Sequence, residues 1–320
     1  MSVIAAIDGV TRRRVRARAS GKVNLQLSVG PRREDGYHPL ATVFQAVDLY
    51  ETVTASVRDD SLITLTVEAA PGFHGTVGDV PLDSRNLAWQ AAEAVRAEYG
   101  IADGIDLEIV KGVPVAGGMA GGSADAAAAL VACAEAWDCG VTRDDLMPLA
   151  ARLGADVPFA LLGHTALGLG RGDEVSPAMA KGDFHWVFAV QNEGLSTAAV
   201  FAHFDEQVAD GQRVATHPEV NAAVMAALRA GDPALLGAAL TNDLQDAALE
   251  LAPRLFGVLE ACEEALALGV IVSGSGPTVA ALAADAQHAR EIAAHLTMKG
   301  VADAVVTARG PAAGTVILEA

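Results

Sequence analysis

From Val23 to Val29 the apolar residues Val23, Leu25, Leu27 and Val29 alternate with Asn24, Gln26 and Ser28, the period of a strand with one buried face. Lys22 and Asn24 then share the opposite face. After a turn-rich stretch, "GPRREDGYH", strand-like runs come at "ATVFQAVDLY", "ETVTASV" and "LITLTVE". At Asn86 the spacing becomes helical in "NLAWQAAEAVRAEYG", which stops at Gly100, in the place of a C-cap glycine. "GIDLEIV" predicts a strand, and Ser123 is expected to open a helix to about Trp137. Thr142 with Asp145 is an N-cap signature for a helix ending near Gly154. The stretch "GADVPFALLGHTALGLGRGDEV" reads as turns and short strands.

A domain boundary is expected near residue 165, dividing the chain into 1–165 and 166–320. Beyond it the pattern predicts strands at "HWVFAVQ", "GVIVSGSG", "TVAALAA" and "ADAVVTA". Helical patterns lie at 197–206, 218–230, 233–240, 254–267 and 286–298. Strands paired around helices make the second half an α+β domain.

Composition narrows the function classes. With 320 residues, 52% of them hydrophobic, the chain can fill two cores. A formal charge of -18, from 22 Lys and Arg against 40 Asp and Glu, opposes binding to nucleic acid or anionic lipid. Any phosphate site must be local. No apolar run approaches the roughly 18 to 20 residues that span a bilayer. The basic cluster Arg12 to Arg14, Arg16 and Arg18 has no apolar segment after it, so a short disordered leader is expected rather than a secretory signal. Cys133, Cys139 and Cys262 lack metal-ligand spacing and read as reduced thiols of a cytoplasmic protein. The scattered histidines His164, His185, His203, His217, His288 and His295 carry no ligand pattern, and Trp89, Trp137 and Trp186 are expected in the core.

The candidate chemistry begins at "VPVAGGMAGGSADAAAAL", residues 113–130, where glycines thread a loop between a predicted strand and a predicted helix. Glycine permits left-handed angles and close approach, so backbone N–H groups can converge on an anion beside the positive end of a helix. The loop has no lysine after Gly122 and so fails the P-loop pattern. By composition alone it is either a phosphate cradle or a packing loop.

The order Pro114, Gly117, Gly118, Gly121, Gly122, Ser123 resembles the second motif of the GHMP kinases. Near the N-terminus "ASGKVNLQLSVGPRREDGYHPL", with Lys22, Asn24, Asp35, Gly36, Tyr37 and His38, resembles the first motif of the 4-diphosphocytidyl-2-C-methyl-D-erythritol kinase branch. "LGADVPFAL" resembles that branch's segment bearing a catalytic aspartate, here Asp156, and "VSGSGPTVAAL" the third motif, with a glycine turn at Gly274, Ser275 and Gly276. These motifs occur in the family's order over roughly residues 16–310.

The resemblance implies a two-domain α+β fold, with an N-terminal domain like the second domain of ribosomal protein S5 and a ferredoxin-like C-terminal domain. It implies ATP-dependent phosphorylation of the 2-hydroxyl of a cytidine diphosphate-linked sugar alcohol, on the non-mevalonate route to isoprenoid precursors, with ATP and Mg²⁺ as cofactors. Asp156 would take the acceptor's proton, and Lys22 would hold Asp156 ionised and stabilise the transferring phosphate. Residues Pro114, Val115, Ala116, Gly117, Gly118, Met119, Ala120, Gly121, Gly122 and Ser123 would bind ATP, with Asn86 near the adenine. Asn24, Tyr37, His38 and Thr197 would bind the acceptor, Tyr37 and His38 at its cytosine. Ser123 is a possible metal ligand. Asp125 stands where the branch often has Asn; it either faces away from the phosphates or helps hold Mg²⁺. The rivals are a GHMP kinase for another alcohol, homoserine or mevalonate, and a catalytically silent nucleotide sensor. A monomer or weak homodimer is expected, with small molecules as partners.

Overall fold

The computed structural model describes residues 5–7, 10–73, 75–115 and 117–320. Its first sheet is built on two long antiparallel strands, Arg14–Val29 and Leu40–Val57. The expected runs "ATVFQAVDLY" and "ETVTASV" are therefore one strand. Ile105–Lys111 pairs antiparallel with Leu40–Val57 and parallel with Ile63–Ala69, and the helix Leu87–Tyr99 lies between those two in sequence. Asn86 caps this helix through Ala88 N–H, and Gly100 ends it at φ 65°.

The helix Gly121–Ala136 is almost wholly buried against this sheet. Its alanines, Ala124, Ala126, Ala127, Ala128 and Ala129, are fully inaccessible, so the alanine bias of the sequence is the small-residue face on which helix and sheet approach closely. The capping box at Thr142 and Asp145 opens the next helix, Arg143–Leu153. A short helix, Val157–Leu162, follows where turns and strands were expected. Pro158 in its first turn is preset for helical φ and lacks only an N–H that would be unpaired there.

The hairpin Thr165–Leu169 with Glu174–Pro177 joins the first sheet through Gln45↔Thr165, so that sheet runs past the boundary expected near residue 165. Two later strands also return to it: Thr241–Asn242 beside Leu27, and Val316–Glu319 beside Arg18. The second sheet is antiparallel in the order Gly269–Val272, Val279–Ala283, Phe184–Val190, Ala304–Gly310. Its helices include Thr197–Ala209, Ala222–Ala230, Pro233–Ala239, Arg254–Glu264 and Ala286–Lys299 as expected, and Gln245–Leu251 in addition. Val23, Leu25 and Val43 of the first sheet share one core with Phe184, Trp186 and Phe188 of the second. At that seam Trp186 Nε1 donates to Gln45 Oε1 at 2.9 Å, wholly buried.

Some expectations are corrected. Part of the supposed disordered leader is paired strand, Ala5–Ile7 with Val10–Arg12; residues 1–4, 8 and 9 lie outside the described residues. Trp186 and Trp137 are core, whereas Trp89 is half-buried with its indole N–H on Glu93, because it faces the rim of its helix. Cys133 and Cys262 are buried free thiols, pushed to high pKa by that burial, Cys262 to about 12. Among the described residues no helix is long and apolar enough to cross a membrane.

Gly118, at φ 71°, would place a Cβ 2.3 Å from the Ser273 carbonyl oxygen, while Gly100, at φ 65°, has nothing within 4 Å of that position. Gly100→Ala is expected to cost about 1 kcal/mol from left-handed strain alone. Gly118→Ala, with the added clash, is expected to cost at least about 2 kcal/mol. Denaturant midpoints of the two variants measure the difference, and equal losses would refute the close approach.

Candidate active site

The glycine loop lies between the strand Ile105–Lys111 and the helix Gly121–Ala136. That helix starts two residues before the expected Ser123. Its N-cap is Ala120, in a left-handed conformation (φ 60°) with no side-chain cap, so Ser123 does not cap the helix. Ser123 instead sits in the first turn and lines a cleft of about 470 Å³ together with Gly117, Gly118, Gly121 and Gly122. Pro114 and Met119 are buried beneath the loop, Val115 is half-buried, and none of the three lines the cleft. Ala116 lies outside the described residues.

Lys22 comes to this loop from the long first strand. The pairing of Arg14–Val29 with Leu40–Val57 slips between Ser20 and Gly21 and again between Asn24 and Gln26, so Lys22 and Asn24 sit between two irregularities. Such breaks re-aim side chains out of a regular ladder. The Lys22 backbone N–H donates to Met119 O at 3.1 Å, joining strand to loop. Its Nζ donates to Asn24 Oδ1 at 2.6 Å and lies 3.9 Å from Asp156 Oδ2. Asn24 in turn donates to Thr42 Oγ1 at 2.8 Å, and Thr42 to Gln26 O at 2.6 Å. Asn24 therefore holds the lysine in place as well as lining the cleft. Burial lowers the Lys22 pKa below the ordinary lysine value, and Asp156 offsets only part of that.

Asp156 occupies the N-cap position of Val157–Leu162 yet makes no capping hydrogen bond (φ -87°, ψ -8°). Its carboxylate is one-third exposed and turned toward Lys22. The Asx-turn role that its position suggests is thus not the one it has.

The third motif closes the cleft from the second sheet. Gly274, at the left-handed φ of 60° that favours glycine, would put a Cβ 3.1 Å from Lys22 Nζ, so a side chain there would crowd the ammonium. Ser273 Oγ donates to Gly118 O at 3.1 Å, and Asn242 Nδ2 holds the carbonyls of Val272 and Gly274. Ser275 Oγ lies 2.8 Å from Thr197 Oγ1. Ser196, not Thr197, caps the helix Thr197–Ala209, which frees Thr197 for the cleft.

A second cavity, of about 750 Å³, adjoins the first: Leu40, Ala155, Arg171, Thr197 and Phe201 line both. Tyr37 and His38 line this one. Tyr37 is 55% exposed on the expected turn, where Asp35 Oδ1 accepts its N–H and Gly36 has φ 84°. His38, unlike Tyr37, does not project from the turn. It is buried against Phe201, 5.2 Å between ring centroids, with Nδ1 donating to Gly30 O and Nε2 3.4 Å from Asp205. Apolar neighbours favour burying the ring, and its polar edge finds partners there.

One feature was not read from the sequence, and one open alternative is decided. Arg171, whose guanidinium lies 5.5 Å from the Tyr37 ring centroid and pairs with Asp173, gives the shared wall of the two cavities a cation. Its "GRGDE" context carries no periodic signal. Asp125 faces away from the cleft: it is buried and accepts from Lys111 Nζ at 2.6 Å. Of the two alternatives left open for Asp125, this orientation is the one that faces away from the phosphates rather than the one that helps hold Mg²⁺. Asn86 is occupied by its cap and by Pro81 O, one residue before Leu87, whose side chain lies beside Gly122.

The sequence matches the family description "GHMP kinases N terminal domain" over residues 86–164 and "GHMP kinases C terminal" over residues 224–302. It is 52% identical over 307 residues to the 4-diphosphocytidyl-2-C-methyl-D-erythritol kinase of Thermobifida fusca, covering 95% of this chain and 98% of that protein. It is 50% identical to the protein of that name in Streptomyces coelicolor, covering 95% and 99%. A crystal structure of 4-(cytidine 5'-diphospho)-2C-methyl-D-erythritol kinase superposes with TM-score 0.73 at 29% identity, covering 92% of this chain and 98% of that one. L. major mevalonate kinase in complex with R-mevalonate, at TM-score 0.75 and 17% identity over 98% and 100% of the two chains, shares the fold. The chain belongs to the GHMP kinase family, in its 4-diphosphocytidyl-2-C-methyl-D-erythritol kinase branch.

Proposed function

We propose that this chain transfers the γ-phosphate of ATP to the 2-hydroxyl of 4-diphosphocytidyl-2-C-methyl-D-erythritol, the compound named in its relatives. One observation carries the reading: the Lys22 and Asp156 pair, 3.9 Å apart, stands by the glycine loop, with the Tyr37 and His38 cavity opening beside it. The segment to about residue 165 supplies the loop and this pair; the segment from 166 supplies Thr197 and the third motif.

In this reading the N–H groups of residues 117–123 and the helix N-terminus hold the ATP phosphates, since donors converge there without a capping side chain. The acceptor's cytosine stacks on the Tyr37 and Phe201 rings, and Arg171 faces its diphosphate. Asp156 accepts the proton of the 2-hydroxyl as its oxygen bonds to the γ-phosphorus and the bond to the ADP oxygen breaks. Lys22 neutralises charge spreading over the transferring phosphoryl oxygens. Mg²⁺ bound mainly by nucleotide phosphates needs only one or two protein oxygens, and Ser123 and the Asp156 carboxylate line the cleft where it would sit. When bound it supplies further charge neutralisation. A cytoplasmic placement belongs to the same reading.

Acceptor-dependent ADP release with the cytidyl alcohol, homoserine and mevalonate, followed by locating the new phosphate, tests the substrate. Transfer to the 2-hydroxyl of the first is expected; preference for either other alcohol would reject the assignment. Asp156→Ala is expected to lower turnover by about 10²-fold or more while ATP binding measured by calorimetry is largely spared. Turnover at the wild-type rate would remove Asp156 from the role of base. With the Lys22 pKa lowered, the ammonium loses its proton as pH rises, so kcat/KM should fall on an alkaline limb centred below the ordinary lysine value of 10.5. In Lys22→Arg that limb should move upward, at a lower overall rate; an unmoved limb would assign it to another group.

A further inference from the structure

On the side of the glycine loop away from the cleft, three ionisable side chains meet in the core. Lys111 Nζ lies 2.6 Å from Glu51 Oε1 and 2.6 Å from Asp125 Oδ2, and each of the three side chains is 3% exposed or less. None lines either cavity. Their places in the chain are what matters. Lys111 is the last residue of the strand that enters the loop, and Asp125 belongs to the start of the helix that leaves it. Glu51, on the neighbouring strand Leu40–Val57, also accepts the Gly112 N–H at 2.9 Å.

At one end of the loop the backbone is pressed onto the residue before Glu51, and at the other onto the group itself. A Cβ on Gly112 would lie 2.4 Å from Tyr50 O, and one on Gly121 would lie 2.9 Å from Glu51 Oε1. A lysine buried this deeply needs a carboxylate partner, and two carboxylates beside one lysine leave a surplus. Burial pushes both carboxyls up, Glu51 to about 8 with the help of the Asp125 charge and Asp125 above the ordinary aspartate value, each against the pull of Lys111. Lys111 is held above the usual lysine value, because the two carboxylates outweigh its burial. The group is then one cation held between two carboxyl groups whose protonation burial favours.

We propose that Glu51, Lys111 and Asp125 form a buried positioning group that anchors the glycine loop at both ends and so sets where the helix N-terminus meets the nucleotide phosphates. This rests on the reading of the loop as the ATP site. The lysine acts on ATP through the backbone it anchors, not by touching phosphate. One carboxylate suffices to balance Lys111, and either can serve; without both, the lysine is buried unpaired and the loop ends lose their anchor.

The test is steady-state kinetics on the full chain for Glu51→Gln, Asp125→Asn and the double variant, with thermal midpoints alongside. Each single substitution is expected to change kcat/KM for ATP by less than about three-fold, and the double to lower it by roughly ten- to hundred-fold, with KM for the alcohol changed by less than about two-fold. Should the double variant fail to fold, adding Lys111→Met removes the unpaired charge and is expected to restore the thermal midpoint without restoring kcat/KM for ATP. A folded double or triple variant with wild-type ATP kinetics would overturn the proposal and leave the ATP reading standing. A wild-type chain that transfers no phosphate from ATP would overturn both.

Discussion

A lysine ammonium buried to 5% exposure is the constraint around which this site is organised. Removing such a charge from water costs several kcal/mol unless partners replace its hydration. Lys22 has one neutral acceptor, Asn24, and one carboxylate, Asp156, at the long distance of 3.9 Å. Its charge is incompletely matched by the protein, as its lowered pKa records. A polyanion entering the cleft completes the match. The surroundings serve that arrangement: Gly274 leaves space beside Nζ, Asn24 is itself fixed by Thr42, and Asp156 is kept from capping its own helix.

Because the parts come from distant segments, the junction of the two sheets decides whether they meet. The shared core at Val23, Leu25, Trp186 and Phe188 fixes the first strand against the second sheet. Ser273 to Gly118 and Thr197 to Ser275 then join motifs 155 and 78 residues apart. The absence of a lysine from the glycine loop is no defect in this design. One cation reaches the cleft from the first strand, and another, Lys111, holds the loop from behind.

What could be read from the sequence was what repeats or follows a local rule. The alternation from Val23 marked a strand, and Asn86, Gly100, Thr142 and Asp145 marked helix ends, because caps act within a few residues. The strand's true length, Arg14–Val29, was hidden because Asn24 and Gln26 are buried too, on a sheet covered on both faces. Val316–Glu319 and Thr241–Asn242 are short and owe their conformation to the partner strand they join. The family motifs pointed to Lys22 and Asp156, but the orientation of Asp125, the burial of His38 and the arrival of Arg171 depend on tertiary neighbours that no local pattern encodes.

In the proposed function Lys22 and Asp156 act on one transferring phosphate as a unit, and a double-mutant cycle of Lys22→Ala and Asp156→Ala on the rate of phosphoryl transfer measures this most directly. Groups that act as a unit are strongly non-additive. The double variant is expected to be about as slow as the slower single variant. Two single losses that simply multiply in the double variant would contradict it.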